Sequence, residues 1–306
     1  MASTPEGGAV APVTKAARVE SLDILRGVAV FGILMMNITA FGLVIQAYDN
    51  PLVAGGATGW NLAAYKIINL GFEGTMRGIF SLLFGAGIVL LTERMENAGA
   101  GIMAAEVHFR RMLWMLVAGI IHWTLMLWFG EILFNYAICG MLLFALRKLP
   151  VKTHLMMAAV LLIGASALSY GYAQSAVATE AAATAASQAQ SSGAKLSAEQ
   201  EKAIEAWQEE VSHISPTAQE IAEQRGWHTG SYWNAVKGQL GMSYEFQWTG
   251  APRWLLFDMI PFMLIGMALL KLGVLGAQRS NKTYLLMMLG GYAIGLTLGW
   301  REMHLI

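Results

Sequence analysis

Seven stretches of the chain, approximately 24–45, 71–91, 110–129, 131–148, 154–173, 254–272 and 283–302, are apolar over nearly their whole length. A bilayer core about 30 Å thick is crossed by a helix of roughly 20 residues. Inside it, backbone polar groups have no water, so a spanning segment must satisfy them itself. The expected fold class is therefore all-α, a polytopic transmembrane helical bundle of about seven spans. Composition agrees, with 56% hydrophobic types against 13% charged and a mean hydropathy of +0.50. Twenty basic and 20 acidic residues are too few to cover a soluble fold of 306 residues. A formal net charge of +0 without a basic stripe excludes a nucleic-acid binder, and a single cysteine excludes an intrachain disulfide scaffold.

The basic residues alternate between the links, as the positive-inside rule requires. Lys15 and Arg18 precede the first span. Arg94, Arg110 and Arg111 separate the second from the third, and Arg147, Lys148 and Lys152 the fourth from the fifth. Lys271, Arg279 and Lys282 separate the sixth from the seventh, whereas Lys66 is alone in the link between the first two. Residues 1–20 are small, polar and charged and do not read as a cleaved signal peptide. The expected location is the bacterial inner membrane, with a cytoplasmic N-terminus. An N-terminal membrane bundle (1–173) precedes an acidic external loop (174–252), periplasmic or extracellular, and two C-terminal membrane helices (253–306).

That loop carries nine Glu against four Lys and Arg. Its first part, Gln174–Gly193, either extends the fifth helix or is mobile. Ile204, Trp207, Val211 and Ile214 recur at helical spacing until Pro216 interrupts them. Trp227, His228, Tyr232, Trp233, Tyr244 and Trp248 suit either an aromatic belt at headgroup level, the plainer reading, or a lid over an outward pocket. Gly291, Gly295 and Gly299 share one helix face, and Gly85 and Gly87 punctuate the second span. Close helix packing, with a possible homodimer, is the expectation there. Cys139 reads as a packing residue.

Ionisable groups at membrane depth are costly and face a bundle interior or a water-filled cavity. Asp23 and Arg26, three apart, either cap the first helix and snorkel, or Arg26 reaches a phosphate-bearing donor. Asn37, deeper in that span, ties helices or lines a pocket. Glu73 and Arg77 form an i,i+4 pair in the favourable order. His122 lies in the outer half of the third span. Glu131 opens the fourth with Asn135 and Tyr136 behind it, and Arg253 and Asp258 enter the sixth from outside. Topology thus stacks Glu73, Arg77, His122, Glu131, Asn135, Arg253 and Asp258 at similar depth. Such a set suits acid–base chemistry: a neutral His takes a proton, a carboxylate on its other nitrogen fixes the tautomer, and Arg stabilises an oxyanion. No His-x-x-His, paired Cys, P-loop or Gly-x-Ser-x-Gly is present, so no metal is expected.

The opening Arg18-Val-Glu-Ser-Leu-Asp23-Ile-Leu-Arg26-Gly27, with Gly32 and Asn37 beyond it, resembles the start of the bacterial YeiB-like proteins, known by their uncharacterised DUF418 domain. Phe80-Ser81-Leu-Leu-Phe84-Gly85-Ala-Gly87 and Ile121-His122 through Gly130-Glu131-Ile-Leu to Tyr136-Ala-Ile-Cys-Gly140 resemble two further blocks. The family is grouped with transmembrane acyltransferases, including the lysosomal heparan-glucosaminide N-acetyltransferases. The resemblance implies an acyltransferase-like bundle that passes an acyl group from cytoplasmic acyl-CoA, acetyl-CoA above all, to a sugar or other hydroxyl or amine acceptor. It places Asp23, Arg26 and Asn37 at the cofactor. His122, Glu131, Glu73 and Arg77 would then serve catalysis, and Asn135, Tyr136, Arg253 and Asp258 the acceptor. Family members run longer, with a terminal block rich in Arg and Tyr, so C-terminal truncation at Ile306 is expected. The alternative is a transporter or exporter of a polar or anionic solute, using the same buried charges. Membrane lipid is the remaining expected partner.

Overall fold

The computed structural model describes residues 19–302, mostly helical and without strands among them. Lys15, Arg18 and His304 lie outside that range. The chain forms α1 (Glu20–Gly42), α2 (Gly59–Phe72), α3 (Thr75–Asn97), α4 (Met103–Thr124), α5 (Leu133–Phe144) and α6 (Val151–Ser191). It continues as α7 (Ala198–Ile214), α8 (Ala218–Thr229), α9 (Tyr232–Glu245), α10 (Ala251–Trp254), α11 (Ile260–Lys271) and α12 (Asn281–Glu302). Wide π turns at Phe246–Gly250 and Leu255–Met259 flank α10.

Among the described residues four helical units are long and apolar enough to cross a membrane: Glu20–Gly42, Gly59–Asn97, Val151–Ser191 and Asn281–Arg301. A fifth exists if Tyr232–Gly250 and Leu255–Lys271, bent by 59°, count as one broken span. The count of seven is therefore not reached, for physical reasons. Residues 131–148 yield only the 12 residues of α5, about 18 Å of helix against a core of about 30 Å. α4 has 22 residues, but Glu106, Arg110 and Arg111 fill its first half. The second span begins earlier than hydropathy suggests. α2 occupies residues read as a link, and Gly74, at φ 65, breaks the helix before α3. The alanine-rich 174–191 continues α6 as helix, as expected of the best helix former. α7 ends before Pro216, and α7 and α8 each start at a capping box, Ser197 with Gln200 and Thr217 with Glu220.

The core lies between α3, α5, α6 and α11. Val89, Tyr136, Cys139, Leu143, Met263 and Met267 are buried there together. α3 and α11 meet backbone to backbone: a Cβ on Gly85 would stand 2.0 Å from the Met263 carbonyl oxygen, and one on Gly266 1.8 Å from that of Leu82. α4 closes on α5 with Gly119 against the Phe134 backbone, and Gly140 of α5 leaves room for the Met112 side chain of α4. Gly87, Gly291 and Gly295 by contrast face open space, and only Gly299 of the α12 glycines has a neighbour, Leu70. Ile24, Phe31, Trp114, Leu155, Ile163 and Leu286 point outward, as side chains bathed by lipid do.

Candidate functional site

The break at Gly74 brings Glu73, at the end of α2, beside Arg77 in the first turn of α3. The principal partner of Arg77 is neither on its own helix nor near in sequence. Its Nε donates to Asp258 Oδ2 at 2.7 Å and its Nη2 to Oδ1 at 3.4 Å, while Glu73 Oε1 stands 3.7 Å away. Asp258 is delivered by the π turn ahead of α11, a distortion that recurs at functional sites. Tyr48 donates to Glu73 Oε2 at 2.9 Å. Burial, and then the Glu73 charge, hold the Tyr48 phenol above its ordinary range, so it stays a donor. Two carboxylates around one guanidinium leave Arg77 with less charge to offer an oxyanion than a pairing with Glu73 alone implies.

A second group forms at the turn between α4 and α5. Glu131 is buried, and both carboxylate oxygens accept backbone N–H groups of α5, from Leu133 and, at 2.9 Å, from Phe134. Its side chain thus satisfies the first free N–H groups of that helix from one residue ahead of the N-cap position, Ile132. His122 Nδ1 lies 3.7 Å from Glu131 Oε1, beyond hydrogen-bond length, and is buried with no hydrogen-bond partner. Leu127, inside the turn, sits at φ 58, a left-handed conformation that costs a non-glycine residue about 1–3 kcal/mol. Asn135 donates to Gln247 Oε1 at 3.0 Å, and Gln247 Nε2 donates to the carbonyls of Phe129 (3.2 Å) and Glu131 (2.8 Å). Asn135 Oδ1 is buried without a partner. Tyr136, one residue on, shares a buried 2.6 Å hydrogen bond with Ser81 and packs between Phe80 and Phe84.

The seven residues expected at one depth therefore divide. Glu73, Arg77 and Asp258 form one cluster. His122, Glu131 and Asn135 form another around Gln247, which no spacing in the sequence singles out. Arg253 belongs to neither. It is exposed and lies within electrostatic reach of Tyr172, whose hydroxyl bonds Glu210 on α7. Asp23 and Arg26 pair at 2.9 Å, both about half exposed. Asn37 is half-buried on α1. Among the described residues no group of three or more His, Cys, Asp or Glu could hold a metal ion.

Two cavities sit near opposite ends of α1. One, of about 330 Å³, has Arg26, Arg111 and His108 on its lining and Phe80, Phe84, Ile88 and Leu91 as apolar walls. His108 Nε2 donates to Gly140 O at 2.9 Å. His108 precedes the apolar run and nothing in the pattern singles it out, while Arg111, three residues on along α4, reads in the sequence only as a basic residue of the link. The other cavity, about 380 Å³, lies over the α4–α5 turn. Trp227, His228 and Tyr232 line it, so these follow the lid reading, while Trp233, Tyr244 and Trp248 are exposed as a belt requires.

Over 146 residues the chain is 34% identical to the uncharacterized protein YxaH of Bacillus subtilis, covering 46% of this chain and 35% of that protein. Over 128 residues it is 34% identical to the uncharacterized protein YeiB of Escherichia coli, covering 42% and 31%. The chain is a relative of the YeiB-like proteins. A third relative, an uncharacterized 39.9 kDa protein of Bacillus acidopullulyticus, is 30% identical over 152 residues, or 40% of its length. The matches thus span between about a third and two fifths of each of these relatives. No family model matches the chain. No solved structure matches the chain.

Proposed function

We propose that the protein is an integral membrane acyltransferase, moving an acyl group from acyl-CoA to a hydroxyl or amine acceptor. The observation that carries this reading is the smaller cavity. Two arginines and a histidine stand on a pocket with aromatic and aliphatic walls, the lining that a phosphate-bearing acyl thioester needs. Guanidinium groups take the phosphates, and the acyl chain follows Phe80 and Phe84 toward Tyr136. The positive-inside rule supports a cytoplasmic entrance. The start of α1 is tied to the α11–α12 link by Ser21 donating to Leu275 O at 2.7 Å. Lys271, which precedes that link, donates to the carbonyls of Arg147 and Leu149. The α5–α6 link with Arg147 and the end of α11 with Lys271 thus gather near the Arg26 end.

At the opposite end His122 is the base. Nδ1–H directed at Glu131 leaves Nε2 with the lone pair that removes the acceptor proton. The acceptor oxygen or nitrogen then attacks the thioester carbonyl. The tetrahedral intermediate collapses with cleavage of the C–S bond, and the departing thiolate takes the proton that His122 Nε2 removed, which restores the neutral imidazole. The Glu73–Arg77–Asp258 cluster fixes the ends of α2, α3 and α11 around the path and adds only a tempered positive field. The test is acetyl-CoA turnover by protein in lipid nanodiscs. His122→Ala is expected to lower transfer by roughly 100-fold or more, the share of a general base. Arg26→Ala and Arg111→Ala are expected to raise the KM for donor more than they lower kcat. Unchanged transfer by His122→Ala refutes the mechanism, and absence of any acyl-CoA binding refutes the class. Solute flux in proteoliposomes without acyl transfer would favour the transport alternative.

A further inference from the structure

The cavity over the α4–α5 turn has a chemistry of its own. Its floor is Phe41 of α1 and Trp128, whose ring centroids lie 4.6 Å apart. Its roof is Gln224, Trp227 and His228 on α8 with Gln239 on α9. The roof is held in place by polar ties. Gln224 accepts from the backbone N–H of Ile45 (3.3 Å) and donates to Gln46 (3.1 Å), and Tyr232 donates to Leu125 O (2.9 Å). Trp227 is fixed against Gly238, where a Cβ would fall 2.2 Å from the indole. Gln239 is buried and meets His228 Nδ1 at 3.3 Å.

No Asp, Glu, Lys or Arg is among the residues that line this cavity. That is informative because its surroundings are acidic. Glu220 and Glu223 sit on α8 within one turn of Gln224, yet neither reaches the lining. An ionic ligand would find no countercharge there. A purely apolar ligand would cover Gln224, His228, Ser231 and Gln239 and shut water away from the polar capacity that the Gln239–His228 bond leaves over, at a cost in free energy. What matches is a ring with apolar faces for the aromatic side chains and uncharged hydroxyl or amide groups at its edge. A glutamine side chain serves such groups as both donor and acceptor.

We infer that this cavity is the acceptor site and takes a neutral, hydroxyl-rich ring, a hexose or N-acetylhexosamine unit without formal charge. The inference rests on the acyl-transfer reading above and adds to it the place and charge class of the acceptor. The floor is the very turn that joins His122 to Glu131. The backbone N–H of Trp128 donates to the His122 carbonyl at 3.4 Å, so the cavity floor and the backbone that carries the proposed base belong to one turn.

The test uses protein in nanodiscs, free of glycosidic detergent, titrated calorimetrically with neutral methyl hexosides and N-acetylhexosaminides, a methyl uronate and a sugar phosphate. Neutral glycosides are expected to bind saturably and the charged ones roughly tenfold more weakly or not at all. Gln239→Glu keeps the size and adds a charge. It is expected to weaken the neutral glycosides roughly tenfold while the melting temperature holds. If it lowers the melting temperature, Trp128→Phe, which trims the platform and spares the lid, gives the same reading. Absence of saturable neutral binding, equal binding of charged analogues, or indifference to both variants overturns the inference. Acetyl-CoA turnover is measured in parallel. Glycoside binding without acyl transfer sinks the transferase reading alone. Acyl transfer to an acceptor that ignores Gln239→Glu sinks the acceptor site alone.

Discussion

Gly266→Ala is the sharpest perturbation the fold offers. The new Cβ would stand 1.8 Å from Leu82 O and 2.6 Å from its carbonyl carbon, whereas side-chain carbons essentially never approach within 3.0 Å. The obstacle is backbone in the middle of α3, so no rotamer change relieves it and the two helices must part. Overpacking of a core costs about 1–3 kcal/mol, and a clash of main chain with no flexible partner belongs at about 3 kcal/mol. α11 follows directly on the π turn that carries Asp258, and Arg77 lies in the first turn of α3, so parting the helices also loosens their 2.7 Å ion pair. Thermal unfolding in nanodiscs is expected to show a fall in melting temperature of about 5 °C or more. A double-mutant cycle with Arg77→Ala and Asp258→Ala is expected to show weaker coupling in the Gly266→Ala background. Gly291→Ala is the control, because nothing lies within 4 Å of a Cβ there. If Gly266→Ala melts like Gly291→Ala and the coupling is unchanged, the backbone contact between α3 and α11 is not what holds the core.

Gln247→Leu removes the amide that bonds Asn135, Phe129 O and Glu131 O. The partners left buried are expected to cost about 3 kcal/mol and to free the α4–α5 turn, seen as faster hydrogen exchange there. Tyr48→Phe probes the phenol held above its ordinary range. Since the unfolded chain releases that proton first, wild-type stability is expected to fall as pH rises past about 10, and the variant to lack that share of the loss. Unchanged slopes in the pH-dependence of melting would refute it.

The segmentation of the chain was legible because lipid imposes one demand on every spanning segment, and hydropathy reports it directly. Where legibility failed, the cause was local. Gly74 breaks a helix that hydropathy joins to nothing before it, and α5 is a short helix with an apolar flank that pattern alone cannot shorten. Glu73, Arg77, His122, Glu131 and Asp258 were visible individually, because charge and imidazole in apolar sequence are conspicuous. Gln247 was not, because a neutral amide in an aromatic stretch carries no mark of burial. Arg253 was visible for the same reason as the others, yet it points elsewhere.

The amino-acid sequence by itself therefore determined that this chain folds as a helical membrane protein, where its apolar segments lie, and which polar residues need an explanation. Only the tertiary structure decided which of them meet. Arg77 finds Asp258 181 residues away, through a π turn, and His122 faces a carboxylate already spent on capping α5. Arg26 joins His108 and Arg111 at one cavity, while two glutamines and a tryptophan of the acidic link roof another. Periodicity fixes the face a residue occupies on its own helix. Which helix that face meets depends on close backbone approaches such as Gly85 and Gly266, whose partners are chosen by three-dimensional packing and leave no trace in a linear pattern.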